Sequence, residues 1–315
     1  MLDPQTQALL NLIEEKGVPA THLLSPSEAR KMYLERRFFS QPPAPELAAV
    51  NDISIPSEPG QRSIKARTYR PLGTQANDVL AALIYFHGGG CVIGDLDTHD
   101  VLCRELANLA NIEVISIDYR LAPENPFPAA IDDCLIASNW IHDHASELNI
   151  NPNKIALGGD SAGGYLTATT SLLLRDAKKW LPAFQLLIYP MTDAHASSKS
   201  IITNGQGYLL TKDAIDYYYG HYLPNPEMKN DWRASPIDAP NLEGLPPALV
   251  ITAGFDPLRD EGLAYANRLS SAKVKTQYIC FERQIHGFIL MGRILDEANT
   301  AVKLCAQALR DNLKA

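Results

Sequence analysis

Ile155-Ala156-Leu157-Gly158-Gly159-Asp160-Ser161-Ala162-Gly163-Gly164 is the stretch that decides the fold. A short apolar run ends in a serine flanked by glycines, and a helical pattern over 162–175 starts directly behind it. The chain must turn from strand to helix within about one residue, which strains the serine backbone and lifts its hydroxyl above the sheet. Side chains at 159 and 163 would collide in so tight a reversal, and both positions are glycine. The helix N-terminus brings backbone N–H groups and a positive dipole end beside the serine. G-x-S-x-G between strand and helix is the pattern of an exposed nucleophile, here Ser161. The plain alternative is a serine N-cap. A phosphate-cradling loop is disfavoured, because neither G-x-x-x-x-G-K-[ST] nor G-x-G-x-x-G occurs in the chain.

Outward from that turn, apolar runs at 79–86, 114–117, 155–157, 185–189, 248–253 and 278–281 alternate with helix-length patterns at 98–110, 127–141, 162–175, 257–269 and 294–309. Continuous apolar strands separated by helices predict an α/β fold, a mostly parallel central sheet flanked by helices on both faces. Ile53/Ile55 and the alternating segment 64–69 predict an antiparallel pair at a sheet edge. Asp3-Pro4 and the capping box Ser25-Pro26-Ser27-Glu28 open two N-terminal helices, the first stopped by Gly17 and the second by the proline-rich 41–45. The stretch 195–235, rich in tyrosine and turn residues, breaks the strand–helix alternation. With the N-terminal helices it reads as a helical cap over the C-terminal ends of the strands, where such sheets bind ligands. The expected division is cap helices over 1–45, core over 46–194, cap insertion over 195–235 and core again over 236–315.

The chain has 315 residues, 46% apolar and 20% charged, an ordinary globular composition. Lys plus Arg is 28 and Asp plus Glu is 36, a net charge of −8 with no basic run. Nucleic acid and anionic membrane surfaces are therefore poor partners. The apolar run 79–86 is far short of the ~20 residues a membrane span needs. The first residues show no basic stretch followed by an apolar one, so no export signal is expected. Five cysteines, an odd number without a C-x-x-C pair, read as free thiols in a reducing cytoplasm, and they offer no metal-ligand spacing.

His87-Gly88-Gly89-Gly90 follows the apolar run 79–86. Three glycines at a strand end leave backbone N–H groups open to close approach. Acyl transfer through a serine builds negative charge on the former carbonyl oxygen, and donors already aimed at that point stabilise it. The N–H groups of Gly88 and Gly89, with that of Ala162, are assigned to this oxyanion hole. A glycine turn without chemical use is the alternative. His87 precedes the nucleophile, so its expected part is to pin the loop by hydrogen bonding.

In a serine enzyme on such a sheet the order is Ser, then Asp or Glu, then His. His195, His221 and His286 follow Ser161. The first two fall in the cap, whereas His286 comes after the last apolar run across a short loop. Asp256 ends the run 248–253, and Asp260 and Glu261 lie about a turn further along the next helix. Asp256 is also a good N-cap with Pro257 behind it, so a purely structural aspartate stays open. The expected chemistry has His286 taking the Ser161 proton while Asp256 holds the imidazole tautomer.

Five motifs in order, His87-Gly88-Gly89-Gly90, Tyr119-Arg120-Leu121-Ala122-Pro123-Glu124 with Phe127-Pro128-Ala129-Ala130, Gly159-Asp160-Ser161-Ala162-Gly163-Gly164, Asp256-Pro257-Leu258-Arg259-Asp260-Glu261-Gly262 and His286-Gly287-Phe288, span 87–288. In these the sequence resembles the bacterial hormone-sensitive-lipase-like carboxylesterases of the α/β-hydrolase fold. The resemblance implies Ser161, Asp256 and His286 as a triad, the glycines after His87 as the oxyanion loop, a cap from the N-terminal segment and an insertion after the sixth strand. It further implies hydrolysis of short- to medium-chain carboxylic esters with no cofactor, and a homodimer through the last strand and C-terminal helix. Cys91 departs from the large aromatic of many relatives.

The expected function is hydrolysis of soluble small-molecule esters through an acyl-enzyme. An amidase or other acyl transferase would use the same residues, and a binding protein on the same shell is the reading from another class. A lipase working at lipid surfaces would want an exposed apolar lid, whereas the cap carries Glu35, Arg36, Arg37, Lys212 and Asp213. Arg120 and Glu124 are expected to tie their loop through ion pairing. Candidate substrate contacts are Tyr208, Leu209 and Leu210 from the insertion and Phe288, Ile289 and Met291 beyond the base. A simple core stripe is the alternative for these six.

Overall fold

The computed structural model describes residues 1–57 and 62–314. Its strands are β1 (Ala49–Ile55), β2 (Ile64–Arg70), β3 (Leu80–Phe86), β4 (Glu113–Asp118), β5 (Ile150–Asp160), β6 (Phe184–Ile188), β7 (Ala248–Phe255) and β8 (Thr276–Ile285). They form one sheet in the order β1-β2-β4-β3-β5-β6-β7-β8. β1 pairs antiparallel with β2 and β2 with β4, and every other pairing is parallel. The antiparallel pair thus lies at one edge, as its alternating pattern requires.

The central strands are mostly apolar because both their faces are covered, with Ser116 of β4, Gln185 of β6 and Thr252 of β7 among the buried polar members. In β3, Ile84 and Phe86 pack on one side with Ile131, Cys134 and Leu166 of helices α4 (Ala129–Asp143) and α5 (Ala162–Ala177). Leu83 and Tyr85 pack on the other, with Leu102 and Leu106 of α3 (Asp100–Ala110) and Val302 and Leu309 of α9 (Asp296–Leu313). Towards β7, Leu187 and Val250 meet Leu172 and the Tyr265 and Leu269 side chains of α8 (Arg259–Ser271). Cys91, Cys103, Cys134 and Cys305 are buried, and all five thiols are free.

Strand ends differ from the sequence expectation at β8. The apolar run covers 278–281, yet the strand continues through Glu282, Arg283 and Gln284 to Ile285. β8 is the far edge of the sheet and only partly buried, so polar residues are tolerated there and the apolar run undercounts its length. His286 consequently follows the strand directly, without the short loop expected.

Before the sheet lie α1 (Pro4–Glu15) and α2 (Pro26–Ser40). The Asp3 side chain accepts from the N–H groups of Gln5 and Thr6, and Ser25 and Glu28 form the reciprocal capping box. The segment after β6 contributes α6 (Lys199–Thr203) and α7 (Lys212–Tyr222), the latter capped by Thr211. Arg30 of α2 donates both terminal guanidinium nitrogens to the Glu124 carboxylate, at 2.9 and 2.6 Å, and also reaches the carbonyls of Val92 and Ala122 at 2.8 Å each. Arg120 pairs instead with Asp133 of α4 at 2.8 Å. The loop carrying both residues is therefore tied in two directions, to α2 through Glu124 and to the core through Arg120.

Candidate active site

Ser161 stands between β5 and α5 with φ 56° and ψ −117°, a conformation that L-residues rarely adopt. Its N–H donates to the Ile188 carbonyl at 2.8 Å, which anchors the turn to β6. A Cβ on Gly159 or Gly163 would overlap the Phe86 carbonyl oxygen, so β3 crowds the turn and both positions must stay bare.

The Nε2 of His286 lies 2.9 Å from Ser161 Oγ, and its Nδ1 lies 2.7 Å from Asp256 Oδ2. Asp256 is fully buried, and its other oxygen accepts the Leu258 N–H at 2.8 Å. The aspartate therefore satisfies a backbone donor ahead of α8 with one oxygen and grips the imidazole with the other. The Tyr189 ring packs against the imidazole with 4.6 Å between centroids. Asn204 donates to the Gly254 and Asp256 carbonyls at 3.2 and 3.1 Å, fastening the α6 region to the end of β7. Asp260 faces elsewhere, accepting from the Ser200 N–H at 2.9 Å. His195 lies 3.8 Å from Asp238, and His221 packs edge-on to Tyr217, so neither joins the constellation.

The glycine loop differs from expectation at Gly88. Its N–H donates to Asp160 Oδ1 at 2.9 Å and lies 3.3 Å from His99 Nε2, so it faces away from the serine. Gly89 and Gly90 line the cavity together with Ser161 and His286. Among the described residues the N–H groups of Gly89, Gly90 and Ala162 have no acceptor. Gly90 replaces Gly88 in the set of free amides. Its φ of 61°, and the Tyr218 ring that a Cβ would strike, exclude a side chain there. The one signal in the sequence that could have shown this is Asp160, the variable residue of G-x-S-x-G, which is buried and takes up the Gly88 N–H.

Asp160 organises the loop. It accepts from the Tyr85 hydroxyl at 2.7 Å and lies 3.2 Å from His99 Nε2. Burial on its own would raise this carboxyl, but His99 and the Tyr85 hydroxyl outweigh it and hold the group below the usual range. His87 is buried and stacks on Tyr119 with 4.3 Å between centroids. Its Nδ1 lies 2.8 Å from the Gly88 carbonyl, and the Tyr119 hydroxyl donates to the His87 carbonyl at 2.6 Å. Burial, with His99 alongside, lowers His87 to about 4, so the ring is neutral and its Nδ1–H donates to Gly88. His87 thus pins the loop and stands apart from the serine.

A strand-end nucleophile hydrogen-bonded to a histidine that a buried aspartate orients, beside unpaired loop amides, is an arrangement suited to acyl transfer. A family model described as alpha/beta hydrolase fold matches residues 83–290. The chain belongs to the α/β hydrolase family. This hydrolase is 40% identical to carboxylic ester hydrolase LipN of Mycobacterium tuberculosis, over 99% of the chain and 83% of the relative. It is 36% identical to ethyl acetate hydrolase of Pseudomonas putida, over 99% of both. Among solved structures it superposes on an ester hydrolase from the metagenome of Lake Arreo, complexed with a bipyridine phosphonate derivative, with TM-score 0.96, 42% identity and full coverage of both chains. The hyperthermophilic esterase of Pyrobaculum calidifontis follows at TM-score 0.92 and 36% identity, covering 100% of this chain and 99% of that one. The hydrolase is a carboxylic ester hydrolase, in agreement with the resemblance read from its motifs.

The cavity beside Ser161 is lined by Leu209 and Leu210 from the segment after β6, by Ala29, Met32 and Tyr33 of α2, and by Leu258 before α8. Tyr208, Phe288, Ile289 and Met291 do not line it. Tyr208 packs on Phe255 at 5.2 Å. Phe288, Ile289 and Met291 are buried with Leu295, Ala298 and Val302 in the layer around α9. The apolar spacing after the base thus reflects core packing, the alternative that such a stripe always carries. Tyr33, Met32 and Arg36 were missed as cavity residues because α2 is distant in sequence and its amphipathic pattern does not say what it packs over.

Proposed function

We propose that Ser161 is the nucleophile, His286 the general base and acid, and Asp256 the residue that orients it. The observation that carries this reading is the unbroken hydrogen-bond chain Ser161 Oγ–His286 Nε2 at 2.9 Å and His286 Nδ1–Asp256 Oδ2 at 2.7 Å, ending on a fully buried carboxylate. Ser161 Oγ attacks the ester carbonyl carbon while its proton passes to Nε2. The oxygen gains negative charge and accepts from the N–H groups of Gly89, Gly90 and Ala162. The intermediate then collapses, and the proton on Nε2 goes to the departing alkoxide. Water repeats the attack on the acyl-enzyme and returns Ser161 to its starting state.

The substrates proposed are short- to medium-chain acyl esters in free solution. This is supported by a cavity closed over by α2 and the 209–218 segment, with Tyr33, Arg36 and Tyr218 among its lining residues. Residues 1–45 and 195–235 act as the cap in this reading, since both contribute lining side chains. A cytoplasmic location is supported by five unpaired thiols, and a homodimer through β8 and α9 by the open edge of β8. No helix among the described residues is long and apolar enough to cross a membrane. A chain-length series of chromogenic esters, run with and without a serine-directed organophosphonate and followed by mass mapping of the adduct, tests the site. The adduct is expected on Ser161, and an adduct elsewhere with full loss of turnover overturns the assignment.

A further inference from the structure

The cavity wall holds one group that ester hydrolysis does not use. Arg36 of α2 is half-buried there among Met32, Leu209, Leu210 and Ile215. Among the described residues it is the only lysine or arginine on that wall. It also lines a smaller neighbouring recess with Gln41 and Thr98. Its partner is Tyr33, whose ring it covers at 4.5 Å from the centroid. Among the described residues it makes no ion pair. The other arginines of α2 are engaged, Arg30 on Glu124 and Arg37 on the Asp97 carbonyl. Asp160, the carboxylate on the same wall, is held by His99, Tyr85 and Gly88.

An arginine without a carboxylate, resting over an aromatic ring, keeps its free N–H donors in a planar fork that fits a carboxylate bidentately. A neutral ester offers carbonyl and alkoxy acceptors but no anionic pair of oxygens to match the fork. We propose that Arg36 is a specificity-determining residue that selects esters carrying a carboxylate remote from the scissile bond, such as the half-esters of dicarboxylic acids. This rests on the reading of Ser161 as nucleophile in the same cavity. A charge-assisted bidentate contact in a partly buried site is expected to change relative affinity by about tenfold or more. The effect falls on KM, because the remote carboxylate is bound equally in the ground and transition states.

The test is hydrolysis followed by proton release with two matched pairs. Monoethyl glutarate against ethyl pentanoate places the charge on the acyl side, and 4-acetoxybutyrate against butyl acetate places it on the alcohol side. The readout is the ratio of kcat/KM, charged over neutral, in the wild type, Arg36→Gln and Arg36→Lys, each checked for an unchanged melting transition. In at least one pair the ratio is expected to fall about tenfold in Arg36→Gln through KM, with partial recovery in Arg36→Lys. A ratio within threefold of wild type in both pairs, or a fall carried by kcat alone, overturns the role of Arg36. Absence of turnover on all four esters by the wild type would instead overturn the reading of the site itself.

Discussion

Asp256 and Asp260 are four positions apart and chemically alike, and only geometry separates them. Asp256 holds His286 Nδ1 at 2.7 Å, whereas Asp260 is engaged with Ser200 and Arg259. Asp256→Asn is expected to lower turnover by up to ~10⁴-fold with the fold kept, because the amide would hold the wrong imidazole tautomer. Asp260→Asn is expected to stay within about tenfold of wild type, since it touches neither Ser161 nor His286. Steady-state assays of the two variants on one chromogenic ester check this, and the opposite ranking would reassign the acid. Asp160 acts one step further out. It holds the Gly88 N–H and thereby the course of the loop that presents Gly89 and Gly90. Asp160→Asn is expected to lower kcat ~10²-fold, the scale of losing one oxyanion donor, with little change in KM. A rise in KM at constant kcat would show that Asp160 shapes the cavity rather than the amides.

At the scale of elements, two ties hold the loop after β4, and they differ in worth. Arg120 covers the Asp133 carboxylate, which is 2% exposed, while Glu124 is 57% exposed where it meets Arg30. Removing the partner of a buried charge typically costs ~3–5 kcal/mol, whereas an exposed pair contributes ~0–1 kcal/mol. Arg120→Ala is therefore expected to lower the melting temperature by far more than Glu124→Gln, with turnover of the folded fraction little changed; scanning calorimetry beside activity per folded molecule measures both. The same elements show what the sequence could and could not convey. β3, β4, β6 and β7 were legible because burial on both faces demands runs that are mostly apolar, with Ser116, Gln185 and Thr252 among the buried polar members. The Ser161 turn was legible because only glycine fits against Phe86. The end of β8 was not, since an edge strand keeps polar residues. The turning of Gly88 towards Asp160 was not, since three adjacent glycines carry no sign of which amide points where. Leu209 and Leu210 were separable from Phe288, Ile289 and Met291 only in three dimensions, because all five are apolar and the packing of α9 decides between core and cavity.

For the whole molecule, buried titratable groups bias stability in opposite directions. Burial raises the Glu113 carboxyl to about 7 against the pull of Arg70, and burial raises Glu105 to about 7 as well. A carboxyl raised in the folded state contributes stability at low pH that is lost as pH rises from the unfolded value towards about 7. His87 acts the other way. Its folded value is lowered to about 4 from 6.5, so the unfolded chain binds the extra proton between those values, and the contribution of the neutral ring is lost as pH falls through that window. A variant without this group separates the two trends. His87→Asn is expected to be destabilised at pH 7, because the stacking on Tyr119 is lost and an amide must replace the hydrogen bond to Gly88. The gap between variant and wild type should then narrow as pH is lowered from about 6.5 towards about 4, since only the wild type carries a buried imidazole to be charged. Urea unfolding of both proteins across that range measures the gap at each pH. A gap that stays constant would mean that His87 takes up its proton in the folded protein as readily as in the unfolded chain, which its burial between Tyr119 and His99 argues against.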